Sequence, residues 1–122
     1  MPAAPASAHS AAQTLTFTSV VRNFVTLAST PGAEQDTDVS TAGTLIGFDE
    51  VTVTIGTTTN TADIAFDLNG GLLDGTLTIS RSTGAATGPV TGGTGSFAGA
   101  TGTITGTSVA KKKEAITITY SN

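Results

Sequence analysis

The chain has 122 residues, enough for one domain with a single core. It carries no Cys, no Trp and one His; only 11% of its residues are charged, and the formal net charge is −4. That balance excludes a nucleic-acid partner, since phosphate binding needs clustered Lys and Arg and the one basic run is Lys111-Lys112-Lys113. No apolar run is long enough for a membrane span. Abundant Thr with fifteen Gly points to an all-β chain, Thr and Val favouring strands and Gly punctuating turns.

The first thirteen residues are rich in Ala, Pro and Ser, and Ala6-Ser7-Ala8 fits the small-x-small pattern at the end of an export signal. They are read as a leader that includes His9, ahead of a domain at 14–122, and a secreted protein is expected. Zero Cys is compatible with that compartment when a closed fold needs no disulfide. From Leu15 to Leu27, alternation predicts a strand. Leu15, Phe17, Ser19, Val21, Asn23, Val25 and Leu27 share the face expected to turn inward, so Ser19 and Asn23 become polar candidates to face a ligand. A backbone bond near a bulge is the plainer role for Asn23.

Ala28 to Asp38 reads as a loop with a Pro31-Gly32 turn and three acids, Glu34, Asp36 and Asp38. It lacks the Gly and downstream Glu of a calcium-binding EF-hand loop, so it is expected to be solvated and to sit at a barrel mouth. Further strands are predicted at 41–48, 50–55, 61–68, 72–80, 87–91, 98–108 and 115–121, about eight in all. Asn69-Gly70-Gly71 is the clearest hairpin turn between them. Eight strands close an antiparallel barrel whose interior is filled by side chains or holds one small ligand. The phase puts Val53, Phe66, Leu77, Ile104, Ile118 and Tyr120 inside with Phe17 and Val21, and puts Asp63 and Asp67 outside among the threonines. Asp49 and Glu50 are placed at a strand junction near the rim, and the three lysines in the last hairpin turn, where they discourage edge pairing.

The stretch Pro89 to Gly102, a Gly-rich turn running into a Thr-alternating strand, admits two nucleotide readings and fails both. As a kinase phosphate loop its third glycine is displaced and no catalytic-loop motif follows. As a dinucleotide fingerprint it lacks the helix that must come next. Thr91 to Gly102 instead resembles the segment that allene oxide cyclases and dirigent proteins carry before their penultimate strand. Asp36 to Gly43 is similar to that superfamily's acidic, Gly-containing lead-in to its second strand, and Asp74 to Ile79 to its central hairpin. The likeness spans about residues 14–121, with the Gly-rich segment its specific part.

The resemblance implies a barrel holding a hydrophobic small molecule, acting as an isomerase or cyclase that confines a flexible substrate. It also implies a trimer. Where dirigent proteins place an arginine after the turn, this chain has Ala100 and Thr101, so no catalytic residue is carried over. With no Cys and no metal-ligand cluster in sequence, neither a cofactor nor a metal is expected. The small inner face of Ala98, Ala100, Gly102 and Gly106 either leaves a cavity or lets larger neighbours close in. The cavity reading makes Phe17, Ser19, Val21, Asn23, Val53, Phe66, Leu77, Ile104, Ile118 and Tyr120 the ligand-binding set. The alternative is a non-catalytic binding or surface-interaction protein.

Overall fold

A computed structural model describes residues 11–26 and 31–122. Eight antiparallel strands close into one barrel in chain order, the first strand pairing with the last. They are β1 (Gln13–Thr26), β2 (Pro31–Ser40), β3 (Leu45–Thr54), β4 (Thr59–Leu68), β5 (Gly71–Ser80), β6 (Ala86–Gly93), β7 (Thr101–Ala110) and β8 (Lys113–Ser121), with a short 3-10 turn at Gly95–Phe97. Closure gives every strand two partners and leaves no open edge.

The eight-stranded barrel expected from the sequence is therefore present, although two strand assignments move. The stretch read as an acidic loop is the strand β2. What reads as two strands around Asp49 is the single strand β3. Residues 1–10 of the leader and residues 27–30, Leu27 among them, lie outside the described residues, and Gln13, read as leader, opens β1.

Alternation builds the core. Phe17, Phe66, Leu73, Ile104 and Ile118 are fully buried, ringed by Val51, Ile64, Leu77, Ile116 and Tyr120, while Asp63, Asp67 and most threonines point to solvent. Phe17 and Phe66 meet edge-on with centroids 5.5 Å apart, a favoured aromatic geometry. The small residues of the inner wall are matched by large neighbours. A Cβ on Gly75 would strike Ile104, and one on Gly106 would strike the carboxylate of Glu114. Ala98 and Gly102 are exposed. The glycines thus admit neighbouring side chains, which is how the apolar part of the barrel fills.

The Gly-rich stretch closes one end. Thr94 and Ser96 donate backbone N–H groups to the carbonyls of Leu72 (2.9 Å) and Gly70 (2.8 Å), and Leu72 N–H returns a bond to Thr94 Oγ1 (3.0 Å). The 3-10 turn then drops Phe97 into the barrel against Tyr120, ring centroids 5.4 Å apart. Gly95 sits at φ +57°, and any Cβ there would collide with the Gly70 carbonyl, so glycine is required.

Candidate functional site

Antiparallel pleating gathers polar side chains on one inner sector. On β2, period two sends Glu34, Asp36 and Asp38 to the same inward face. Asp36 stands opposite Val21 of β1 and Asp49 of β3, and Asp38 opposite Ser19 and Gly47. Glu114 of β8 is registered with Ser19 across the closing seam. Asp36, Asp38 and Asp49 are at most 4% exposed and Ser19 5%, whereas Glu34 and Glu114 are half-buried. Among the described residues, no group of acids is arranged to hold a metal ion.

Ser19 joins two of these acids. Its hydroxyl oxygen lies 3.1 Å from Asp36 Oδ2 and 2.9 Å from Asp49 Oδ2. Burial, reinforced by hydrogen bonding and charge from Asp38 and Asp36, pushes the Asp49 carboxyl up to about 11, so it is neutral at physiological pH. Asp38 is raised by burial and by the charge of Asp36, an effect that the polar side chains of Asp49 and Ser19 beside it partly offset. With every acid ionised, Asp36 Oδ1, Asp49 Oδ1 and both Asp38 oxygens would be buried without a donor. A proton on Asp49 removes one of these buried charges, and this relieves part of a cost of several kcal/mol per buried ion.

Nearer solvent, Glu34 is pushed up to about 8 by burial, by its hydrogen bond to Asp36, and by the charges of Asp36 and Glu114. Glu114 is raised by burial and by Asp36. These acids line an opening of about 160 Å³ at the barrel end away from Phe97, with Ser19, Val21, Ser108 and Lys113 on its walls. A cavity of about 150 Å³ accommodates one benzene ring, so the opening matches a single-ring group. A neutral carboxylic acid bonded to a carboxylate site under such an opening can give a proton to a ligand and take one back.

The residues expected to bind ligand divide. Ser19 and Val21 line the opening. Phe17, Phe66, Leu77, Ile104, Ile118 and Tyr120 are buried in the packed core, with half-buried Val53 against them. Asn23 corrects the expectation. The β1–β2 register shifts between Val21 and Asn23, and the extra residue of this bulge turns Asn23 outward. It is exposed, and its Nδ2 bonds the Gln35 side chain at 3.4 Å on the outer wall. There it borders a depression of about 590 Å³ that Arg22, Phe48, Asp67 and Leu72 line together with Asp36 and Asp49.

The premise that carboxylates look outward also fails in this sector. Asp36, Asp38 and Asp49 face the lumen. Their signal was the unbroken alternation from Ala33 to Ser40, with every acid in one phase. Pro31-Gly32 and the density of charge favour a loop reading of the same residues. Glu50, by contrast, is exposed on the outside of β3.

No protein-family model matches this sequence, and a search of curated proteins finds no match. Solved structures do match. A pyocyanin demethylase superposes with a TM-score of 0.75 at 19% identity, over 88% of this chain and 99% of its own. AbnU, an exo-specific intermolecular Diels-Alderase, gives 0.71 at 12% identity, over 93% and 100%. The pterocarpan synthase dirigent protein GePTS1 gives 0.58 at 18% identity, over 91% and 82%. The fold is accordingly that of the dirigent and allene oxide cyclase-like barrels, as the Gly-rich segment suggests.

Proposed function

We propose that this barrel binds a small organic molecule at its acidic mouth and promotes an isomerisation or cyclisation assisted by proton transfer. One observation carries the reading: a Ser19-bridged pair of carboxyl groups, Asp36 and Asp49, buried beneath an opening of single-ring size. The fold neighbours named for a cyclisation or a demethylation support small-molecule chemistry in a barrel of this shape. The packed apolar core favours a ligand whose reacting end enters the mouth over a long hydrophobic chain threaded through the lumen. Confinement by the mouth and proton exchange with its acids then act together.

Ligand-observed and amide-observed NMR on a panel of conjugated carbonyl compounds and nitrogen heteroaromatics tests this. Binders are expected to shift the amides of Ser19, Val21, Glu34 and Glu114, and to be converted more slowly by an Asp36→Asn variant. If no compound shifts those amides, or if Asp36→Asn converts binders as fast as the parent, the reading fails. Exposed Phe48 and Leu72 on the outer wall favour a second reading, self-association as in a trimer. Light scattering that returns a monomer removes it.

A further inference from the structure

We propose that Ser19 is a proton relay through which Asp36 and Asp49 share one proton, so that the buried acid recharges the one at the mouth. A serine hydroxyl has one proton to give and two lone pairs to receive with. Here it is within hydrogen-bond distance of two carboxyl oxygens, at 3.1 and 2.9 Å. It can donate to only one of them. The other contact is a bond only if that carboxyl carries a proton and donates it to Ser19. One proton shared across Ser19 satisfies both contacts, and the burial that holds Asp49 neutral assigns it there at rest.

The transfer balances without a co-reactant. The one shared proton rests on Asp49. The Ser19 O–H bond breaks toward Asp36 Oδ2 while a new O–H bond forms at Ser19 from the Asp49 proton, so the proton passes to Asp36 and a carboxylate is left on Asp49. Asp36 then gives that proton to a ligand at the opening; both carboxyls are left ionised and the ligand keeps one added proton. Reversal returns the proton when product forms. Position fits the roles, since Asp36 lines the opening while Asp49 is 1% exposed. The ionisable groups facing the pair are Glu34 and Asp38 from β2 and Glu114 from β8, with Lys112 and Lys113 at the rim.

Delivery to a ligand rests on the function proposed above, but proton sharing itself is measurable on the ligand-free chain. Carbon-observed NMR of the Asp carboxyls is expected to show Asp36 and Asp49 each reporting the other's titration step, as coupled sites do. A Ser19 hydroxyl proton protected from solvent exchange should accompany it. Ser19→Ala should shrink the cross-reported step to what direct charge repulsion leaves, and Ser19→Thr should restore it. Should Ser19→Ala not fold, Asp49→Asn serves: its amide still bonds Ser19 but cannot surrender a proton. Conversion of any mouth ligand should then fall about 100-fold or more while its binding holds. Titrations that are independent in the parent or unchanged in Ser19→Ala, or full conversion by Asp49→Asn, overturn the relay. A coupled titration in a protein that binds no panel compound would keep the relay and sink the proposed function instead.

Discussion

A neutral carboxyl inside a folded chain reverses the usual dependence of stability on pH. Glu34, Asp38, Asp49 and Glu114 all hold protons more tightly when folded, burial being the first cause in each. Unfolding releases those protons whenever pH lies above the ordinary carboxylate range. The native state then binds more protons than the unfolded one, and stability falls as pH rises. For Glu34 the loss runs from about pH 4 through its folded value of about 8; for Asp49 it continues toward about 11. Thermal melts followed by circular dichroism should therefore give a Tm that declines from pH 5 to pH 9. Glu34→Gln should flatten the part of that decline lying below pH 8, and an unchanged slope would contradict the environment described for Glu34.

Element by element, much of the barrel can be read from alternation, and the exceptions have physical causes. β4, β5 and β8 follow a clean apolar–polar period bounded by recognisable turns such as Asn69-Gly70, and their inner residues are those expected. β1 follows its period as far as Val21, where one bulged residue reverses the side each later side chain faces. Nothing in the local sequence marks that bulge. β2 escapes because its inner face is acidic. The rule that the apolar face is the buried one has no purchase on such a strand. The candidate site was legible only at Ser19 and Val21, since its acids depend on β1, β2, β3 and β8 meeting around one space. The Gly-rich stretch announces itself, though its role as a latch on the β4–β5 turn emerges only from the pairing of Gly70, Leu72, Thr94 and Ser96. Phe97 is the residue that this latch inserts. Phe97→Ala should cost about 3–5 kcal/mol in urea unfolding, the range for a buried aromatic cut to Ala. A loss below 1 kcal/mol would show that the plug adds little to closure.

For the molecule as a whole, closure depends on residues far apart in sequence. Gln13 must find Tyr120, and their side chains bond at 3.1 Å, the tyrosine hydroxyl donating to Gln13 Oε1. Non-local pairing of this kind is slow to form, so refolding is expected on the millisecond-to-second scale of all-β domains. The same closure keeps the acidic sector out of water. The protons that burial holds on Glu34 and Asp49 make the native chain less negative at neutral pH than its formal charge of −4. Folding thus conceals part of the chain's acidity. Isoelectric focusing of the native protein should band at a higher pH than the same protein focused in urea, and the gap should narrow in Glu34→Gln. Coincident bands would mean that the interior acids ionise as freely as those outside.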